Sequence, residues 1–79
     1  MTEARAATLA LLAARAAEAS VCPSEVARAL TAGHADAWRD AMPAVHDAVD
    51  RLLAEGAVRL SWKGQPLSVR AGPYRISRA

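Results

Sequence analysis

The sequence predicts an α+β fold, a winged helix-turn-helix with three main helices and a two-stranded β-hairpin wing. One observation is a helix marked at both ends by Pro43 and Gly56, since proline suits a first helical position and glycine suits the left-handed residue after the last turn. A second observation is the alternation of apolar and polar residues over 57–62, which is typical of a half-buried strand. A third is that two further helical patterns precede this unit, so the hairpin would pack on three helices.

The elements follow one another along a chain of 79 residues, which is short enough for one domain at most. We expect helices at about 2–18, 23–31 and 43–55, a short helical turn at 36–41, and wing strands at about 57–62 and 73–77. Apolar residues three and four positions apart predict the helices, and alternation predicts the strands. Met42 is placed at a corner, because a following proline disfavours helical geometry.

Two registers fit the start of the second helix. In the first, Cys22 is the N-cap, Pro23 is the first helical residue and Glu25 is the third, which gives a capping box with cysteine in place of Ser or Thr. In the second, Ser24 is the cap. Residues 20–21 are either a plain connector or a bridge to the later hairpin.

The expected core consists of apolar residues on the inner faces of these elements. They are Leu9, Leu12, Val26, Leu30, Trp38, Val45, Val49, Leu52, Leu53, Val58, Leu60 and Ile76. Leu11 lies off the apolar stripe of the first helix, so it is either a partly exposed leucine or a dimer contact. Leu67 and Val69 are expected to pack under the wing loop.

The charge distribution gives the main functional signal. Residues 1–56 carry a net charge of −3, whereas residues 57–79 carry +5 and contain no acidic residue. A basic hairpin on an acidic helical body favours binding to the phosphates of nucleic acid, with double-stranded DNA as the expected partner and a role related to transcription. In the alternative, these charges pair with the acidic helices or dock on an acidic protein.

The predicted nucleic-acid-binding residues lie mainly in the wing. They are Arg59, Lys63, Arg70, Arg75 and Arg78, together with His46 and Arg51 on the third helix. If the strands pair antiparallel, Arg59, Lys63 and Arg75 share one solvent face. Asp47 and Asp50 are unfavourable near phosphates, so the wing would supply most of the affinity. The alternative function is an adaptor that binds a protein partner, or a second copy of itself, without binding DNA.

Catalysis, metal binding and membrane insertion have little support. Cys22 is the only cysteine, which excludes an intramolecular disulfide and a multi-cysteine metal site. At a helix start it is either a capping or core residue or a thiol sensor. Neither His34 nor His46 has metal-ligand spacing to it. With no signal pattern and no apolar run near the roughly 18 residues of a membrane span, we expect a cytoplasmic, non-enzymatic protein without a cofactor.

Several short segments recur in a fixed order along the chain. They are VCPSEVAR at 21–28, WR at 38–39, MPAV at 42–45, KG at 63–64 and GPYRI at 72–76. In this combination the sequence resembles a bacterial family of small proteins, catalogued as a domain of unknown function with a winged-helix fold. The resemblance covers nearly the whole chain and implies that fold, but it brings no activity, substrate or site residues. His46, Trp62 and Ser68 depart from the usual family pattern.

Overall fold

The computed structural model describes residues 3–32, 34 and 36–79 and confirms the α+β class. The helices are α1 (Glu3–Ala13), α2 (Pro23–Leu30) and α3 (Trp38–Ala54), and the strands are β1 (Ser20–Val21), β2 (Val58–Trp62), β3 (Gln65–Leu67) and β4 (Arg75–Arg78). The helices pack together and cover one face of a single antiparallel sheet.

The sheet has four strands in the order β1-β4-β2-β3, so the predicted two-stranded hairpin is too small. β4 is an inner strand, because Ile76 pairs with Val21 on one side and with Leu60 on the other. Of the two alternatives for residues 20–21, the bridge to the later hairpin is therefore correct, and it is the two-residue strand β1. Strands of two or three residues are too short to carry a detectable alternation, so β1 and β3 depend on tertiary pairing.

A tight turn joins β2 to β3. Lys63 and Gly64 both have positive φ angles, of 50° and 80°, as the two central residues of a type I′ turn require. Trp62 pairs with Gln65 across this turn, and Pro66 is the next residue along β3. Pro66 is tolerated because β3 is an edge strand, where a missing N–H interrupts no ladder.

Helix α3 is continuous from Trp38 to Ala54, with Pro43 inside it. The predicted corner at Met42 and the separate turn at 36–41 are therefore wrong. Proline removes the hydrogen bond to the carbonyl of Arg39, which lies near the helix start, and Pro43 itself is exposed. Continuing the helix also lets Trp38 and Met42 pack against the core, which favours it over a break.

The end of α3 agrees with the sequence prediction. Gly56 has a φ of 73°, and its N–H donates to the carbonyl of Leu53 at 3.0 Å. The N–H of Ala57 donates to the carbonyl of Leu52 at 2.9 Å. These two bonds form a Schellman motif, which sets the direction in which the chain enters β2.

Helix α2 begins in the first of the two predicted registers. Cys22 is the N-cap and Pro23 the first helical residue, so Ser24 is not the cap. The N–H of Cys22 donates to Oε2 of Glu25 at 2.8 Å, and the N–H of Glu25 donates to the carbonyl of Cys22 at 2.9 Å. The glutamate thus satisfies a backbone donor at the start of the helix.

Helix α1 ends at Ala13 rather than near residue 18. The guanidinium of Arg78 donates to the carbonyl of Leu12 at 2.7 and 3.2 Å and to that of Arg15 at 2.9 Å. A side chain from β4 therefore satisfies carbonyls that a longer helix would use internally. No local residue signals this end, which explains the error.

The core agrees with most of the prediction. Its predicted members that are buried are Leu12, Val26, Val45, Val49, Leu52, Val58, Leu60 and Ile76. Leu30, Trp38 and Leu53 are partly buried against them, as are Leu11 and Leu67. Val69 is 65% exposed, so it does not pack under the loop.

The inner stripe of α1 differs from the prediction. Leu9 is 38% exposed, whereas Ala4, Thr8 and Leu12 are buried. These three residues recur every fourth position, and the hydroxyl of Thr8 donates to the carbonyl of Ala4 at 2.8 Å. The hydroxyl is thereby satisfied inside the core, so a polar residue fills a position that hydrophobicity assigned to leucine.

Candidate nucleic-acid interface

The face of the sheet turned away from the helices carries arginine and serine. Leu60 and Ile76 point into the core, so the residues beside them point outward. Arg59 pairs with Ser77, and Arg75 pairs with Ser61. The register thus confirms that Arg59 and Arg75 share one face, while Lys63 lies in the turn beyond β2.

Two of the predicted arginines are held in place by neutral acceptors. Arg75 donates from Nε to Oγ of Ser20 at 2.6 Å and to the carbonyl of Ser20 at 3.2 Å. Arg78 donates to the carbonyls at the end of α1, where a cation also interacts favourably with the helix dipole. These contacts fix the side chains without forming an ion pair, although the hydrogen bond from Cys22 and the charge of Arg75 both lower the pKa of Glu25. We call Arg59, Lys63, Arg75 and Arg78 the sheet cations. Arg59 and Arg75 lie on the outer face, whereas Arg78 pairs with the buried Val58 and extends from the helix-covered face to the end of α1.

Arg70 differs from the sheet cations because a carboxylate neutralises it. Its Nε and one terminal nitrogen donate to the two oxygens of Asp50 at 2.8 and 3.0 Å. The hydrogen bond from Arg70 lowers the pKa of Asp50 below its ordinary value. The pair ties the segment before β4 to α3, so Arg70 is not free to contact a phosphate.

The two candidates on α3 are not brought together with the sheet cations. Arg51 forms an ion pair with Asp47 one turn earlier, at 3.2 Å, and both side chains are exposed. His46 is half-buried, and its Nδ1 lies 2.7 Å from the hydroxyl of Tyr74. Burial lowers the pKa of His46, so its imidazole is neutral at pH 7 and offers no charge to a phosphate.

A cleft of about 430 Å³ opens at the end of the sheet. Arg59 and Arg78 line it together with the hydroxyl-bearing Ser77, and Glu18 is the carboxylate among its lining residues. The cleft therefore places the guanidinium groups of Arg59 and Arg78 beside the carboxylate of Glu18.

Sequence reasoning missed a second cationic surface, which lies where α2 and α3 meet. The guanidinium carbons of Arg28 and Arg39 each lie 4.7 Å from the centre of the Trp38 ring. Such cation–π contacts hold both arginines without neutralising them. The adjacent Trp38 and Arg39 could have indicated this surface. The sequence analysis placed them in a separate helical turn, whereas they form the first turn of α3.

An apolar pocket of about 270 Å³ lies on another part of the surface. It is lined by Cys22, Pro23, Ser24, Met42, His46, Trp62, Gly72, Pro73 and Tyr74. Cys22, the candidate thiol sensor, and His46, a candidate nucleic-acid contact, therefore line the same pocket although they are distant in sequence. Sγ of Cys22 lies 3.0 Å from Oγ of Ser24, within hydrogen-bonding distance.

Two tests for other kinds of site give negative results. Over residues 3–32, 34 and 36–79, no group of three histidine, cysteine, aspartate or glutamate side chains could hold a metal ion. None of the helices in that part of the chain is long and apolar enough to cross a membrane.

Comparison with known proteins identifies a family but no relative of known activity. No curated protein matches the sequence. A family model described as "Protein of unknown function (DUF3253)" matches residues 1–79. Because the match spans the whole sequence, this chain belongs to the DUF3253 family.

Proposed function

We propose that this chain is a winged-helix domain that binds the phosphate backbone of double-stranded DNA through its sheet cations. The order of elements supports the winged-helix assignment, because a short strand separates the first two helices and later pairs with the final strand. In this reading α2 and α3 form the helix-turn-helix. The segment from β2 to β4 is the wing.

The proposal is carried by the charge state of the sheet cations. Among the ion pairs that the described residues form, the cations belong to Arg5, Arg15, Arg51 and Arg70. None of the four sheet cations takes part in these pairs. The charge of Arg59, Lys63 and Arg78 therefore remains available to an external anion. Arg75 shares its charge with Glu25, whose pKa it helps to lower, and Arg70 is neutralised by Asp50.

Preorganisation strengthens the argument for Arg75 and Arg78. A flexible arginine loses rotamer freedom when it binds a phosphate, and this loss weakens binding. Hydrogen bonds to Ser20 and to the end of α1 have already restricted these two side chains. If all four sheet cations engage phosphates, the logarithm of affinity falls with the logarithm of salt concentration at a slope of about −3 to −4.

Helix α3 supports binding with little sequence preference. Apart from Arg39, which stacks on Trp38 in the first turn, its exposed surface carries Asp40 and the ion pair of Asp47 with Arg51, and its middle carries the pair of Asp50 with Arg70. Carboxylates are repelled by phosphates, and paired arginines are poorly placed to read guanine. The wing, rather than α3, would supply most of the binding free energy.

The test compares two charge reversals of equal size. We expect Arg59→Glu with Lys63→Glu to reduce affinity for a random duplex at least about tenfold at about 50 mM salt, and to make the salt slope shallower. The matched control, Arg28→Glu with Arg39→Glu, changes the net charge equally at the Trp38 surface and should cost less than about threefold. An equal or larger loss in the control would contradict binding through the sheet.

A protein-interaction module is the second candidate. The observation that favours it is the exposure of two large apolar side chains, Trp62 at the end of β2 and Val69 between β3 and β4. Exposed apolar side chains are more typical of protein contacts than of phosphate contacts. If the unmodified protein shows no duplex binding at about 50 mM salt, DNA binding is excluded and this second function is favoured.

A further inference from the structure

The apolar pocket described above is built from four separate parts of the chain. The start of α2 contributes Cys22 and Ser24, α3 contributes Met42 and His46, and Trp62 comes from the end of β2. The segment before β4 completes the lining with Gly72, Pro73 and Tyr74, and the pocket is open to solvent. Its volume of about 270 Å³ leaves room for one aromatic ring, since an enclosed apolar cavity of roughly 150 Å³ holds one benzene molecule.

The polar groups around this pocket bond to each other. The hydroxyl of Tyr74 is bonded to Nδ1 of His46 at 2.7 Å, and Sγ of Cys22 contacts Oγ of Ser24 at 3.0 Å. A ligand therefore does not have to replace water on these groups in order to satisfy them. The surface that the pocket presents is almost entirely apolar, so an apolar ligand fits best.

The pocket wall carries no net charge. The charged groups beside it are paired: Asp50 with Arg70 at 2.8 Å, and Glu25, whose carboxylate accepts from the N–H of Cys22, with Arg15 at 2.8 Å. Burial lowers the pKa of His46 and raises the pKa of Tyr74 to about 12, so both side chains are neutral at pH 7. A charged ligand would lose hydration here without gaining an opposite charge.

The wall is well suited to an aromatic ring. The indole of Trp62 is 38% exposed and offers a face or edge for stacking. The sulfur atoms of Cys22 and Met42 can make favourable contacts with a ring edge. Covering these groups also removes apolar surface from water.

We propose that this pocket binds a neutral compound with a single aromatic ring. The pocket is a site of its own, because none of the sheet cations lines it. The inference therefore stands independently of the proposed binding to DNA.

The test uses ligands that share a ring but differ in charge. Benzyl alcohol is the neutral probe, and benzoate and benzylammonium are its charged counterparts. In ¹⁵N-labelled protein we expect saturable shifts at the amides of Gly72 and Tyr74 and at the indole N–H of Trp62. The charged compounds should bind at least about tenfold more weakly. Equal affinity for all three compounds, or shifts spread over the whole surface, would overturn the proposal.

Variants distinguish binding in the pocket from nonspecific binding to exposed apolar surface. Trp62→Ala removes one wall and should weaken benzyl alcohol binding several-fold, whereas Val69→Ala removes an exposed apolar side chain outside the pocket and should leave it unchanged. If Trp62→Ala does not fold, Trp62→Leu keeps an apolar wall without the ring and should also weaken binding. If the NMR signals of Gly72, Tyr74 and Trp62 shift with protein concentration when no probe is present, a second copy of the chain occupies the pocket, and the proposal is overturned.

Discussion

The hydroxyl of Tyr74 lies 2.7 Å from Nδ1 of His46, with the two rings tilted by 55° and their centres 5.6 Å apart. This contact joins the segment before β4 to the middle of α3. It also places a histidine where burial, together with the charge of Arg70, lowers its pKa, although Asp50 partly opposes this shift.

The free energy of unfolding should therefore depend on pH through His46. A lowered pKa in the folded state means that the unfolded chain binds the proton more tightly, so stability is full above the unfolded value of about 6.5 and falls as pH decreases through it toward the folded value. Urea unfolding between pH 7.5 and 5.5 should show this loss in the unmodified protein. His46→Gln should flatten the profile over that interval, and an unchanged slope in the variant would assign the dependence to other groups.

The pair of Asp50 and Arg70 predicts a gain of DNA affinity by mutation. Asp50→Asn removes an anion and frees Arg70, so duplex affinity should rise and the salt slope should steepen by about one. Asp40→Asn removes the same charge from α3 without freeing a bonded arginine, and should raise affinity less. Equal effects of the two substitutions would show that Arg70 gains nothing from its release. Because both partners are partly exposed, Asp50→Asn should cost less than about 1 kcal/mol of stability.

Arg78 should matter for stability as well as for charge. Arg78→Ala removes three hydrogen bonds to the carbonyls of Leu12 and Arg15, and we expect a loss of about 1–3 kcal/mol in the free energy of unfolding. Arg59→Ala is the matched control, because Arg59 is exposed and belongs to none of the ion pairs of the described residues; it should change stability by about 0.5 kcal/mol or less. Denaturant unfolding of both variants measures the difference, and similar small effects would contradict a clamping role for Arg78.

Pro43 is expected to be a destabilising residue within α3. Pro43→Ala restores an N–H that can donate to the carbonyl of Arg39 and removes the clash of the ring with the preceding turn. Proline also restricts the unfolded chain, which offsets part of this gain by about 0.4–1 kcal/mol. We expect a net stabilisation and a higher Tm. A lower Tm would mean that the restriction of the unfolded chain by proline outweighs the regained hydrogen bond.

Local chemistry made some elements predictable from sequence. Gly56 follows the apolar repeat of α3 and so predicted the end of that helix. The structure agrees, because residue 56 has a positive φ, which glycine adopts without strain. The spacing of Cys22, Pro23 and Glu25 included the correct start of α2 among its two registers. In both cases the signal and the structure lie within one helical turn of each other.

The errors arise where distant residues decide the outcome. The end of α1 depends on Arg78, and the continuity of α3 depends on the packing of Trp38 and Met42. The net charge of residues 57–79 predicted a basic segment. It could not show that Arg70 forms an ion pair with Asp50, whereas Arg75 donates a hydrogen bond to the neutral Ser20. The apolar pocket was equally hidden, since four separated segments form its wall.

The position of β4 has a consequence for folding during synthesis. This strand follows the other six elements of the described residues, yet it lies between β1 and β2 and joins them into one sheet. Until it leaves the ribosome, β1 has no partner strand and the apolar faces of α1 and α3 lack the cover that Ile76 completes. The helices can form early because their contacts are local. Stable folding should nevertheless begin only when residues 75–78 have emerged, as a single late step that nascent-chain protease protection at successive lengths would detect.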